Sequence, residues 1–128
     1  MYTEISEEED RIGKEIVNAA FHVHKQLGPG LLEKVYEVCF CYVLMQKGFE
    51  IKRQLDTIVF EGLVFEEGLR LDVLVNHLVI CELKALENVN PVWEAQLLSH
   101  LKLTNKRLGY LINTNVPLIK NGIKRMVI

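Results

Sequence analysis

Ile12, Ile16, Ala19, Ala20, Val23 and Leu27 recur at three- and four-residue intervals, the period of a helix with one face turned to a core. The Gly28-Pro29-Gly30 run supplies both a stop and a sharp turn. A second helix is predicted from about Leu31 to the Lys47-Gly48 pair. Leu32, Val35, Tyr36, Cys39, Phe40, Val43 and Leu44 give it a wide apolar face, and Gly48 suits the position just past a helix end. From Phe49 the pattern becomes that of strands, at roughly 50–60, 63–66, 69–76 and 78–85. Glu61-Gly62, Glu67-Gly68 and Asn76-His77 punctuate them, and connections this short predict an antiparallel meander. Pro91 fits the first position of a third helix running to about Leu103, with Asn90 as its N-cap. A strand at 108–113 then pairs in parallel through that helix, and 122–128 forms a last edge strand. The class is α/β, a central mixed β-sheet flanked by helices.

Composition narrows this to one domain over residues 1–128. A chain of this length with 49% hydrophobic residues can build a core without cross-links. Cys39, Cys41 and Cys81 form no CxxC pair and no zinc-finger spacing, so they read as core thiols in a reducing compartment. The start, MYTEISEEED, has neither a basic nor an apolar leader region, and no apolar run approaches the roughly 20 residues that cross a bilayer. The expectation is a cytoplasmic protein without a membrane partner.

Charge changes the picture in one respect. The formal net charge of −2 argues against coating nucleic acid by bulk charge, but the distribution is uneven. Residues 1–15 hold six acids and two bases, whereas residues 102–128 hold Lys102, Lys106, Arg107, Lys120, Lys124 and Arg125 and no acid. That tail either grips a phosphate backbone or is a solvated surface. The strand near 122–128 is also where the apolar surface of a homodimer would come from.

The segment RLDVLVNHLVICELKAL, residues 70–86, has the apolar density of strands covered on both faces, yet it carries Asp72, Glu82 and Lys84. Alternation puts Glu82 and Lys84 on one face, and a hairpin at Asn76-His77 brings Asp72 alongside. Buried carboxylates need pairing or a cation. A structural ion pair with Lys84 is one solution. A hard cation such as Mg2+ or Mn2+, held by two carboxylates and substrate phosphate, is the other.

Asp72, followed ten residues later by Glu82-Leu83-Lys84, resembles the PD-(D/E)xK nuclease-like superfamily. Gly30-Leu31-Leu32-Glu33-Lys34-Val35-Tyr36 resembles the signature of the GxxExxY family within it. Residues 95–103, 107–113 and 121–125 continue the likeness, which spans roughly 12–128. The resemblance implies a restriction-endonuclease-like core. It also implies metal held by Glu33, Asp72, Glu82 and the Leu83 carbonyl, with Lys84 as the catalytic lysine and Gln96 as the helical glutamine beside the site. Related nucleases of the recombination-exonuclease type place tyrosine four residues after that glutamine, where this chain has His100.

Each of these residues also has a plainer reading. A carboxylate in the first turn of a helix, such as Glu33, is favourable through the macrodipole alone. Tyr36 is expected to pack with its polar tip bonded, supporting the site where it reaches. His22 and His24 are two apart on a helix and do not make a metal pair. The resulting expectation is a metal-dependent nuclease acting on DNA, its acidic cluster between sheet and second helix. Gln96, His100, Lys102, Lys120, Lys124 and Arg125 would hold the strand. The alternative is a non-catalytic module that keeps the fold and binds nucleic acid or protein.

Overall fold

The computed structural model describes residues 4–55, 58–61, 63–65, 71–87 and 89–128, with the backbone alone described for 58–60 and 63–65. Helix α1 spans Glu7–Leu27, α2 Glu33–Gln46 and α3 Val92–Thr104. The strands are β1 Ile51–Leu55, β2 Ile58–Phe60, β3 Leu63–Phe65, β4 Leu71–Val75, β5 Val79–Lys84, β6 Leu108–Asn113 and β7 Ile123–Val127, the last preceded by a 3-10 turn at Ile119–Gly122.

The acidic start of the chain is the start of α1. Ser6 Oγ accepts from the Glu9 N–H while Glu9 Oε1 accepts from the Ser6 N–H, a reciprocal cap worth about 1 kcal/mol. Glu7, Glu8, Glu9 and Asp10 in the first turn complement the helix dipole. Gly28 and Gly30, both at positive φ, then turn the chain, and α2 begins at Glu33 rather than at Leu31.

Five strands form the main sheet in the order β1-β4-β5-β6-β7, antiparallel throughout except for β5 and β6. α3 makes the crossover between those two, as the spacing of the segments requires. Asn76 and His77, both left-handed, turn the β4–β5 hairpin, with Asn76, His77 and Leu78 between the paired Val75 and Val79. The meander is not continuous, however. The expected 50–60 strand is two strands in two sheets. β1 pairs with β4, while β2 and β3 form a separate two-stranded sheet, with β2 beside α3. The Glu67-Gly68 turn lies outside the described residues.

Alternation sorts the sheet into two apolar layers. Val73 and Val75 of β4, Val79, Cys81 and Leu83 of β5, and Leu108, Tyr110 and Ile112 of β6 pack with Ile12, Ile16, Ala19 and Ala20 of α1 and Tyr36, Phe40 and Leu44 of α2. On the other face Leu74, Ile80 and Leu111 meet Trp93, Leu97 and Leu101 of α3. Gly109 lets α3 come this close, because a Cβ there would stand 3.0 Å from Leu97 Cδ1. Asn90 Oδ1 accepts from the Val92 N–H just ahead of α3, but Pro91, not Asn90, stands in the cap position and the helix begins at Val92.

Both edges of the sheet read Ile-Lys-Arg, at Ile51-Lys52-Arg53 in β1 and Ile123-Lys124-Arg125 in β7, with the two bases exposed in each. Among the described residues no helix is long and apolar enough to cross a membrane.

Candidate active site

Asp72, Glu82 and Lys84 occupy the α3 face of the sheet, the one not covered by α1 and α2. The three strand residues therefore lie under α3, not between the sheet and α2 as the nuclease-like reading had expected. Its assembly begins with a defect in the ladder. β4 and β5 are in register from Val75↔Val79 to Val73↔Cys81 and then part. Where the next backbone pairing would fall, Asp72 Oδ2 accepts the Leu83 N–H at 2.9 Å. A residue's N–H and C=O leave a strand on the same side, so the Leu83 carbonyl is directed into the same gap.

The neighbouring strand is distorted at the same level. β1 pairs Arg53↔Val73 and Leu55↔Leu71, skipping the residue between, and that residue, Gln54, has φ 52. A left-handed non-glycine residue costs about 1 kcal/mol or more and is common beside active sites. Here it turns the Gln54 side chain away from Asp72 and back to Glu37 of α2, whose Oε1 accepts from Nε2 at 2.7 Å. Arg53 donates twice to Glu37 Oε2, at 2.9 and 2.7 Å, so the buried Glu37 carboxylate is fully bonded.

Glu82 is buried at 5% exposure, and His100 Nδ1 of α3 lies 2.8 Å from its Oε1. Burial pushes the Asp72 carboxyl up to about 7; the Glu82 charge adds to this, the Leu83 N–H opposes it, and Glu33 adds again. Glu33 stands at the opening residue of α2, half-buried, where the helix start comes round the end of β5. Its pKa is raised by burial, against the pull of Lys84, with Glu37 and Glu82 adding repulsion. A cavity of about 250 Å³ opens there, lined by Gly30, Leu31, Leu32, Glu33, Ala85 and Asn115.

Lys84 ends β5 with its ammonium 5.8 Å from the Trp93 ring centroid, within cation–π range. Its backbone is fixed by the next strand. Thr114 N–H donates to the Lys84 carbonyl at 2.8 Å, and Asn113 brackets Leu86 through both atoms of its amide, at 3.3 and 3.0 Å.

The remaining candidates divide. Gln96 is exposed one turn before His100 on α3. His100, expected among residues facing nucleic acid, is instead buried against Glu82. Tyr36 does not reach the site: its O–H donates to the Ala20 carbonyl at 2.8 Å, fastening α2 to α1, and burial raises its pKa. Lys102 is exposed in the last turn of α3. The C-terminal bases do not form one patch. Lys120 lines a cleft of about 620 Å³ between α1 and the 3-10 turn, with Phe21, His22 and Lys25. Lys124 pairs with Glu94 of α3 at 3.3 Å, and Arg125 faces the other side, beside Tyr110.

Sequence reasoning missed Glu37, Arg53, Gln54, Trp93 and Thr114. Glu37 carried a faint signal, standing four residues after Glu33 on one helix, but its partners lie on a strand whose left-handed residue, Gln54, no local pattern marks. His24, set aside above only as a metal ligand, is buried with Nε2 2.8 Å from the Val116 carbonyl.

The donor set suits a hard divalent cation. The charge of Glu82 raises the proton affinity of both Asp72 and Glu33, and a strand carbonyl points the same way. Among the described residues no three His, Cys, Asp or Glu side chains close round one point as a finished cage. Asp72 is drawn to the Leu83 N–H and Glu82 to His100, while Glu33 acts on them through its charge.

A family model described as the PD-(D/E)XK nuclease superfamily matches residues 10–126. No curated protein and no solved structure matches.

Proposed function

The chain belongs to the PD-(D/E)XK nuclease superfamily, and from that premise we propose that it hydrolyses phosphodiester bonds in DNA with the help of Mg2+ or Mn2+. The Gly30–Tyr36 motif further assigns it, on our reading, to the GxxExxY family. The observation that carries the proposal is the hold of the Leu83 N–H on Asp72 at the parting of β4 and β5, where the Glu82 charge reaches it, with Lys84 next on the same face as Glu82.

Glu33, Asp72, Glu82 and the Leu83 carbonyl would hold the metal, which when bound polarises the scissile phosphate and eases deprotonation of water. The chain's own groups do the positioning. Leu83 N–H fixes the Asp72 carboxylate, and His100 fixes Glu82. Lys84 orients the attacking water and offsets charge gathering on the phosphoryl oxygens. Trp93 restricts the ammonium to the site, and Thr114 holds the Lys84 backbone in line. Gln96, exposed on α3, contacts the strand from above. The three cysteines are free, burial pushes Cys41 up to about 12, and our reading places the chain in the cytoplasm as a single domain.

The test is a titration of metal affinity and cleavage on duplex, single-stranded and branched DNA. Glu82→Gln is expected to lose both metal and cleavage. Lys84→Ala is expected to keep metal affinity equal or higher and to lose cleavage. Robust cleavage by Lys84→Ala would overturn the mechanism.

One observation favours a second reading, a module that binds metal and nucleic acid without cleaving. The Glu82 oxygen nearest α3 is already taken by His100. On that reading wild type binds metal and cleaves none of the three substrates.

A further inference from the structure

α2 is apolar nearly all round, which is the habit of a helix covered on every side. The chain covers only one side. Tyr36, Phe40, Cys41 and Leu44 face the core, whereas Leu32, Val35, Val38, Tyr42 and Met45 are 75, 44, 49, 61 and 57% exposed. From Val35 these residues follow one another at intervals of three, four and three, the seam of a helix that packs against another helix. Leu27 of α1, 42% exposed, lies alongside, and a groove of about 280 Å³ between the helices is lined by Val23, Leu27, Val38, Cys39, Tyr42 and Val43.

We propose that this face is the two-fold interface of a homodimer, with the α2 helices antiparallel and Tyr42 of each copy seated in the α1–α2 groove of the other. The seam is complementary to its own reverse. Its N-terminal half carries the smaller Val35 and Val38, and its C-terminal half the larger Tyr42 and Met45. An antiparallel register that sets Val38 against Tyr42 also sets Val35 against Met45, so each large side chain meets a small one at every step. The same register sets Lys34 against Gln46, so no like charges meet, and Lys47 beyond it is already paired with Glu15 at 2.6 Å. Buried in full, these exposed apolar side chains would take several hundred Å² per partner out of water, toward the roughly 800 Å² of a standard interface, with an aromatic anchor entering a pocket at its centre. The surface expected instead, β7, carries Lys124 and Arg125 outward and has no such stripe.

Sedimentation equilibrium of the full chain at concentrations up to about 100 µM tests this. Wild type is expected at twice the chain mass. Tyr42→Lys and Val38→Asp, both at exposed positions, are expected to be monomeric with unchanged far-ultraviolet circular dichroism. The double variant Val38→Asp/Tyr42→Lys is expected to recover the dimer, because position 38 of one copy meets position 42 of the other. Leu118→Glu, an exposed apolar position outside the seam, is expected to stay dimeric. A monomeric wild type overturns the proposal. So does a dimer that survives both single substitutions, or a double variant that stays monomeric.

Discussion

His100 Nδ1 and Glu82 Oε1 stand 2.8 Å apart with both side chains buried, so a polar contact fastens α3 to β5 inside an otherwise apolar layer. Removing the imidazole leaves a buried carboxylate oxygen without its partner. His100→Ala is expected to destabilise the metal-free protein by about 1–3 kcal/mol in urea unfolding. His100→Asn, which offers an N–H near the position of Nδ1, should recover part of that loss. Equal losses for the two would mean that the volume of the ring matters, not its hydrogen bond.

Asp72 gives the stability a pH dependence of known sign. Its carboxyl titrates at about 7 in the folded protein, whereas an unfolded chain releases that proton near 4. Between those values the folded state holds a proton that the unfolded state has lost, so this contribution falls as pH rises and is gone above about 7. Asp72→Asn is neutral throughout. In metal-free buffer it should melt above wild type at pH 8, by about 3 °C or more, and level with it near pH 4. Mg2+ added at pH 8 should raise the wild-type melting point and leave that of Asp72→Asn unmoved. A variant that gains nothing at pH 8 would place Asp72 in a better-solvated site than its burial implies.

Lys84 depends on the Trp93 ring for its place. On the proposed chemistry, Trp93→Leu fills the apolar layer but frees the ammonium, and cleavage should fall roughly threefold to tenfold at unchanged metal affinity. Trp93→Phe keeps a π face and should fall less. If Trp93→Leu cleaves DNA at the wild-type rate, the ring does not position Lys84.

The separation of the C-terminal bases predicts unequal effects on DNA binding. Among the described residues Lys120 has no ion-pair partner and lies beside Lys25 and His22 in the α1 cleft, while Lys124 is engaged with Glu94. Lys120→Ala should reduce the slope of log affinity against log salt by about 0.7–0.9 for the loss of one phosphate contact. Lys124→Ala should change it less, measured by fluorescence anisotropy at several salt concentrations. Equal changes would mean that the DNA draws Lys124 away from Glu94.

The elements most legible in the sequence were those fixed by local chemistry. The periodic face of α1, Gly48 after α2, the Asn76-His77 hairpin, Asn90 before α3 and the parallel return of β6 all follow from spacing and turn residues. Asp72, Glu82 and Lys84 stood out because charge is costly in a strand covered on both faces. What escaped depended on contacts distant along the chain. Nothing near Gln54 signals that it turns over, because the partners that stabilise it, Glu37 and Asp72's strand, lie 17 and 18 residues away on either side. His100 was misplaced because a helix position does not reveal which way the sheet beneath it faces. The apolar width of α2 was read correctly, but periodicity could not tell how much of it the chain itself would cover.

The two Ile-Lys-Arg edges carry a consequence for the behaviour of the protein at high concentration. An open sheet edge offers unpaired backbone groups to any strand that meets it, and two such edges would allow molecules to add end to end without limit. Here each edge carries two exposed cations, Lys52 and Arg53 on β1 and Lys124 and Arg125 on β7, one on each face of the strand. Edge meets edge with like charge in every pairing, β1 with β1, β7 with β7, or β1 with β7. Filament growth through the sheet is thereby opposed in each direction, and variants that neutralise both edges should precipitate at concentrations where wild type stays clear.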